Sequence, residues 1–201
     1  MKAPHGQLEQ RLLVLVTLAL VAFGLVMVFS ATSAAAALGN GDPVTFLLRQ
    51  GVYALIGVGL LVAASRFDHR KLRNLAPPLV LTALALCVAV LAIAPEINGA
   101  KRWLTAGSLT FQPSELAKLA LLLWIAAYLA RRGAPRSLGE LWKPIGMVTS
   151  LFAALIVVEP DLGTTIALLV MVAGMLVVAG VPGRTLAAAT TIATVGGLAA
   201  I

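Results

Sequence analysis

A long apolar stretch near the start of the chain, LLVLVTLALVAFGLVMVFSATSA at residues 12–34, runs for 23 residues without a charge. A helix of this length measures about 34 Å, which is enough to cross a hydrocarbon core of about 30 Å. The stretch is long for a cleaved signal peptide and lacks a convincing cleavage site, so we interpret it as a retained helix. It predicts a membrane-spanning α-helix.

The composition of the whole chain favours the same class of protein. Of 201 residues, 60% are apolar and only 11% are charged, whereas the surface of a soluble domain of this size needs far more charge. The single cysteine, Cys87, excludes an intrachain disulfide, and the isolated His5 and His69 form no metal-ligand pattern. The composition therefore predicts an all-α, polytopic membrane helical bundle.

Further apolar stretches of similar length divide the chain into seven predicted spans. These spans cover residues 12–34, 44–64, 75–94, 113–130, 144–158, 162–180 and 184–201, and we assign them to a single transmembrane domain over residues 1–201. The last stretch is still apolar at Ile201, without a polar flank. We therefore expect the chain to be the N-terminal part of a longer protein.

Basic residues in the short connections predict the orientation of the chain. With a cytoplasmic N-terminus, 11 of the 15 lysines and arginines fall on the inner side. The exceptions are Arg49, Lys101, Arg102 and Lys118. Membrane topology therefore explains the net charge of +7 better than binding to nucleic acid does.

The outward-facing stretch NGAKRWLTAGSLTFQPSELAKLA, residues 98–120, carries three of these four exceptions. Lys101 and Arg102 precede Trp103, a pattern that fits an interfacial anchor in which tryptophan lies at headgroup level and basic residues contact lipid phosphate. It fits equally well a site for an anionic, lipid-linked substrate. The sequence leaves both interpretations open.

Within the same stretch, QPSE at residues 112–115 predicts a helix start, because proline suits the first turn and a carboxylate is favoured there. Lys118 lies three residues after Glu115, so the two side chains share a face and can pair. A charge within an apolar run is costly and usually faces a functional cavity, although snorkelling to the outer interface is the alternative. The S-x-x-x-K spacing from Ser114 to Lys118 differs from the S-x-x-K of acylating serine enzymes.

A second polar interruption, VVEPDLGTT at residues 157–165, separates the fifth and sixth spans. The predicted fifth span measures about 22 Å, shorter than the hydrocarbon core. We therefore expect Glu159 and Asp161 to lie below the outer interface and to line a polar cavity, with a plain outer turn as the alternative. Arg49 is a candidate counter-ion.

Four motifs together resemble the SEDS family (shape, elongation, division and sporulation proteins). NGAKRWLTAGSLTFQPSELAKLALLLW is similar to that family's first signature, and EPDLGTT is similar to its second, in the expected order. GLVMVFSATS and FLLRQ, which close the first span and open the second, are most similar to the cell-division branch. The rod-elongation branch is the alternative.

The resemblance implies a bundle of about ten membrane helices and the activity of a peptidoglycan glycosyltransferase. Such an enzyme polymerises lipid II on the outer face of the bacterial cytoplasmic (inner) membrane, at the division septum, with a single-span penicillin-binding transpeptidase and other division proteins as partners. A non-enzymatic divisome scaffold and a lipid II flippase are the alternatives. The family's proposed catalytic carboxylate follows the seventh helix, beyond residue 201, so we assign no catalytic residue in this chain and expect it to be inactive alone.

The resemblance also implies a substrate-binding set on the outer side. Cationic residues would hold the departing diphosphate, Trp103 would stack on a sugar or the lipid, and Glu115 and Asp161 would position the cations. No metal ligand is assigned and no cofactor is certain; a divalent cation is the one candidate. The predicted set comprises Lys101, Arg102, Trp103, Gln112, Ser114, Glu115, Lys118 and Asp161.

Overall fold

The computed structural model describes residues 4–37, 42–96, 99–106 and 109–199. The chain divides into two compact units, Met1–Phe67 and Asp68–Ile201, and each is described by itself. Our assignment of a single transmembrane domain to residues 1–201 therefore stays a prediction.

The first unit is a pair of packed helices, α1 (Pro4–Ala37) and α2 (Pro43–Arg66). Asp42 caps α2: its carboxylate accepts hydrogen bonds from the backbone N–H of Val44 at 3.1 Å and from the Thr45 hydroxyl at 3.0 Å. Pro43 occupies the first turn, where its missing N–H costs nothing. Both helices are apolar over most of their length. In neither is any part of the most apolar 18-residue stretch buried, which is typical of helices that face lipid.

The second unit contains the remaining helices and a small hairpin. Its elements are α3 (His69–Ile93), β1 (Leu104–Ala106), β2 (Leu109–Phe111), α4 (Pro113–Arg132), α5 (Leu138–Leu141), a π-helical turn (Trp142–Gly146), α6 (Met147–Val158), α7 (Leu162–Val178) and α8 (Gly183–Ala199). The described fold is therefore all-α apart from two three-residue strands.

The core of the second unit forms where α3 and α4 pack together and where α6 and α7 contact them. Small residues such as Ala83 on α3 and Ala117 and Ala120 on α4 are fully buried, which allows the helix backbones to approach closely. On α6, Phe152 and Ile156 are also fully buried. Their spacing of four residues places them on one helix face.

The helical segment before the EPDLGTT turn is longer than we expected. Helical turns begin at Leu138 rather than near Pro144, and the segment Leu138–Val158 reaches 21 residues, which is long enough to cross a membrane. The backbone of Lys143 is non-helical (φ −108°, ψ 107°), because the residue before a proline is disfavoured in the α conformation. The segment is therefore longer than the 15 residues that we expected, and the depth of Glu159 in the membrane stays a prediction.

Five helical segments of the described chain are long and apolar enough to cross a membrane: Leu8–Ser33, Pro43–Arg66, Arg70–Ile93, Pro113–Arg132 and Leu138–Val158. The apolar helix Leu162–Val178 is shorter. These helices bear out the prediction of a polytopic helical bundle, and the chain is that of an integral membrane protein.

Candidate functional site

The basic stretch that we predict to face outward leads into a hairpin between α3 and α4. Its strands pair antiparallel, with Leu104 opposite Phe111 and Thr105 opposite Thr110. Arg102 and Trp103 directly precede β1, and Trp103 is 37% exposed. The sequence reasoning missed this hairpin, although LTA and LTF separated by Gly-Ser are a recognised hairpin signal.

Asp161 connects the hairpin region to the start of α7. As the N-cap of α7, its Oδ1 accepts a hydrogen bond from the backbone N–H of Thr164 at 3.1 Å. Its Oδ2 accepts a hydrogen bond from the Thr164 hydroxyl and one from the side-chain amide of Gln112, each at 2.8 Å. Gln112 is itself the N-cap of α4 but makes no side-chain bond to its own helix. The starts of α4 and α7 are therefore joined through one carboxylate.

Arg102 lies at the edge of this cluster. One guanidinium nitrogen, Nη1, is 3.9 Å from Oδ1 of Asp161, and the arginine side chain is 34% exposed. This distance permits electrostatic attraction but is too long for a hydrogen bond. Asp161 thus attracts the Arg102 guanidinium, and the N–H groups of Arg102 remain able to donate to another acceptor.

Glu115 and Lys118 form the ion pair that their spacing predicted. The Lys118 Nζ donates to Oε1 of Glu115 at 2.8 Å, and the side chains are 25% and 55% exposed respectively. Among the described residues, no hydrogen bond or ion pair joins this pair to Asp161. The backbone links them indirectly, because the Glu115 N–H donates to the Gln112 carbonyl at 3.1 Å. The functional cavity that we predicted for Lys118 and the polar cavity that we predicted for Asp161 both stay predictions.

Two buried polar side chains near these clusters lack partners within the described structure. Ser114 and Glu159 are both fully buried, and neither the Ser114 Oγ nor either Glu159 carboxylate oxygen has a hydrogen-bond partner. Burial and, to a smaller extent, the nearby Asp161 raise the pKa of Glu159, Arg102 lowers it, and the net pKa is about 7. We expected both Glu159 and Asp161 to line a polar cavity, but among the described residues only the Asp161 side chain is hydrogen-bonded.

The remaining predicted residues make fewer contacts. Lys101 is exposed beside Arg102. Arg49 belongs to the first unit, where its guanidinium carbon lies 6.0 Å from the Tyr53 ring centroid; its pairing with the EPDLGTT carboxylates stays a prediction. In the described part of the chain, no group of three His, Cys, Asp or Glu residues could hold a metal ion, so we assign no protein ligands to a divalent cation.

The chain matches known proteins over most of its length. The model of the FtsW/RodA/SpoVE family, described as cell cycle proteins, matches residues 10–201. A probable peptidoglycan glycosyltransferase FtsW from Shewanella sediminis is 37% identical over 182 residues, which is 89% of this chain and 44% of that protein. The corresponding protein of Halorhodospira halophila is 37% identical over 88% of this chain and 45% of its own length.

Solved structures show the same similarity in three dimensions. A variant of the rod shape determining protein RodA from Thermus thermophilus has a TM-score of 0.69 at 38% identity, covering 88% of this chain and 55% of that one. A chain from a study of polymerization and crosslinking by a peptidoglycan synthase complex has a TM-score of 0.58 at 37% identity, covering 73% of this chain and 44% of its own. The chain thus spans about half the length of the proteins it matches.

Proposed function

The chain belongs to the FtsW/RodA/SpoVE family of cell cycle proteins, and from this premise we propose that the protein carrying it is a peptidoglycan glycosyltransferase. It polymerises lipid II into glycan strands on the outer face of the bacterial cytoplasmic membrane, at the division septum. Relatives named FtsW support the division branch. The structural similarity to a RodA protein favours rod elongation as the second candidate.

The observation that carries this proposal is Arg102, held 3.9 Å from Asp161. When a sugar hydroxyl attacks the anomeric carbon of lipid II, a lipid diphosphate leaves and negative charge develops on it. A guanidinium with a planar set of N–H donors binds phosphate oxygens in a bidentate manner. Because Asp161 accepts no hydrogen bond from Arg102, the incoming diphosphate does not have to displace one.

The other predicted residues extend this binding surface. Lys101 is exposed next to Arg102, and Trp103 offers an exposed ring on which a sugar or the lipid can stack. Lys118 supplies a further cation, which Glu115 holds in position. None of these side chains acts as the base for the attacking hydroxyl. We propose that the base belongs to a part of the protein outside this chain.

We also propose a partner: a single-span penicillin-binding transpeptidase that crosslinks the strands this protein makes. The similarity to a chain from a peptidoglycan synthase complex that couples polymerization and crosslinking supports this pairing. Polymerisation and crosslinking use the same glycan strand, so a polymerase that works beside a transpeptidase delivers its product directly.

The test is lipid II consumption by the full-length protein in detergent. Arg102→Gln should lower the rate at least about tenfold, because it removes the bidentate phosphate contact. Lys118→Met, which keeps much of the side-chain length but no charge, should lower it as well. Lys71→Gln, which removes an exposed cation far from this surface in sequence, is the matched control and should polymerise at the wild-type rate.

Three results would contradict the proposal. Wild-type rates for both Arg102→Gln and Lys118→Met, at equal membrane levels, would show that these cations do not bind substrate. Translocation of lipid II in vesicles without polymer would favour a flippase. Retained partner binding with neither activity would favour a scaffold.

A further inference from the structure

A cavity lies at the opposite end of α4 from the hairpin, beyond the last helical turn. It measures about 260 Å³ and is lined by residues that include Tyr128, Arg132, Ala134, Glu140 and Lys143. This volume is slightly below the range of about 300 to 1,000 Å³ that small-molecule sites occupy. The cavity is therefore large enough for a compact polar group.

A second, smaller cavity adjoins the first at Tyr128. It measures about 90 Å³, and its lining includes Arg73, Trp124, Tyr128 and Arg131. The Trp124 and Tyr128 rings stack, with centroids 5.9 Å apart and planes at 24°, so they form an aromatic wall along the last turns of α4. Tyr128 thus lines both cavities.

Cations outnumber carboxylates around these two cavities. Arg73, Arg131, Arg132 and Lys143 contribute four positive charges, and Glu140 contributes one negative charge. The Glu140 Oε2 accepts a hydrogen bond from the backbone N–H of Arg136 at 2.9 Å. Within the described chain, no carboxylate lies within ion-pair distance of Arg132 or Lys143, and the Arg132 guanidinium carbon lies 5.9 Å from the Tyr128 ring centroid.

The position of these cavities indicates where their ligand comes from. They lie at the end of a membrane-length helix, on the side that the distribution of basic residues predicts to be cytoplasmic. Aromatic rings with arginines are typical of headgroup depth, and the cytoplasmic leaflet carries anionic lipids. Basic pockets between helices on this side bind anionic headgroups.

We propose that this paired cavity binds the phosphate-containing headgroup of an anionic phospholipid of the inner leaflet. Arg132 and Lys143 contact the phosphate in the larger cavity, and Arg73 and Arg131 attract its negative charge from the smaller one. The aromatic wall of Trp124 and Tyr128 packs against the glycerol and the first acyl carbons. The site is independent of the glycosyltransferase proposal, because it lies at the other end of α4 and uses none of the same residues.

The experiment is native mass spectrometry of the full chain purified in detergent and offered phosphatidylglycerol or phosphatidylcholine. We expect phosphatidylglycerol to be retained preferentially. The double variant Arg132→Gln/Lys143→Gln should weaken that retention on the order of tenfold. The control Arg70→Gln/Lys71→Gln removes the same charge from exposed side chains on the same predicted side, outside both cavities, and should retain the lipid as the wild type does.

A variant that leaves the charge unchanged distinguishes binding in the cavity from general electrostatic attraction of the lipid to basic residues. Ala134→Phe fills the larger cavity and should also lose phosphatidylglycerol, while thermal unfolding in detergent confirms that the variants are folded. Equal loss in the control double variant, or equal retention of phosphatidylcholine, would overturn the proposal. Displacement of the lipid by an equal concentration of glycerol phosphate would also overturn it, because the ligand would then be a soluble phosphate.

Discussion

At the scale of single residues, Asp161 combines a local and a long-range role. It caps α7 through Thr164, and it also accepts a hydrogen bond from Gln112, which is 49 residues away in sequence. Its side chain is 10% exposed, so water replaces few of these contacts. Loss of this carboxylate therefore affects two helix starts rather than one.

Asp161→Ala should lower the free energy of unfolding by about 1 to 3 kcal/mol, because it removes a helix cap and leaves the Gln112 amide without its acceptor. Asp161→Asn keeps a carbonyl oxygen as an acceptor and should lower the free energy of unfolding by less. Thermal unfolding in detergent measures both. The control is Asp42→Ala, which removes a cap of the same kind on α2 that has no described long-range partner and is exposed. An equal effect of Asp42→Ala and Asp161→Ala would disprove the joint role of Asp161.

Glu159 should make stability depend on pH. Its pKa is raised from 4.5 to about 7 in the folded protein, so the folded state binds the proton more tightly than the unfolded state does. The resulting stabilisation is fully present below the unfolded pKa of about 4.5 and is lost as the pH rises through about 7. The protein should therefore melt at a lower temperature in mildly alkaline than in mildly acidic detergent solution.

Glu159→Gln tests this assignment, since glutamine has a similar shape and does not titrate. The variant should flatten the dependence of the melting temperature on pH across the region around neutrality. An unchanged slope would show that another group is responsible.

At the scale of elements, the sequence predicts those helix boundaries and side-chain pairs that depend only on the spacing of nearby residues. The start of α4 at Pro113 and the pairing of Lys118 with Glu115 are both confirmed, because each follows from positions within one helical turn. The hydrogen bond from Gln112 to Asp161 was not predicted, and the approach of Arg102 to Asp161 was expected only from the family resemblance. These contacts depend on how α4 and α7 pack, and no local pattern encodes that packing.

The start of the helical segment before Glu159 also depends on more than local sequence. The polar interruption at Glu159 marked its C-terminal end at Val158, but Pro144 suggested a start six residues too late. The chain accommodates Pro144 with one non-helical residue, Lys143, instead of ending the segment there. Because proline permits either a kink or a break, the sequence alone does not decide between them.

The buried face of α6 provides a direct test of helix packing. Phe152 is fully buried, and its neighbour Leu151 is 48% exposed. Phe152→Ala should lower the free energy of unfolding by about 3 to 5 kcal/mol, because it removes a core side chain and leaves a cavity. Leu151→Ala should change it by less than about 1 kcal/mol. Reversible unfolding in detergent compares the two, and similar losses would mean that α6 packs through a different face.

At the scale of the whole molecule, the predicted topology can be measured by cysteine labelling in intact cells. Cys87 is fully buried and should react slowly, so the native chain provides a low background. A cysteine at the exposed Thr105 should react with a membrane-impermeant maleimide from outside. A cysteine at the exposed Gly139 should react only after permeabilisation. The reverse pattern would invert the orientation and move the proposed substrate surface to the cytoplasm.

In α1 and α2, no residue of the most apolar 18-residue stretch is buried. Mutations in the first unit should therefore act mainly on insertion into the membrane. A leucine on an exposed side of these helices contributes about 0.3 to 0.6 kcal/mol to insertion into the bilayer, and its loss leaves no cavity inside the unit. A charge introduced there costs about 2.5 to 3.5 kcal/mol at the same step. Damaging substitutions in this unit should therefore reduce delivery from the ribosome into the membrane, whereas damaging core substitutions in the second unit should yield inserted chains that unfold.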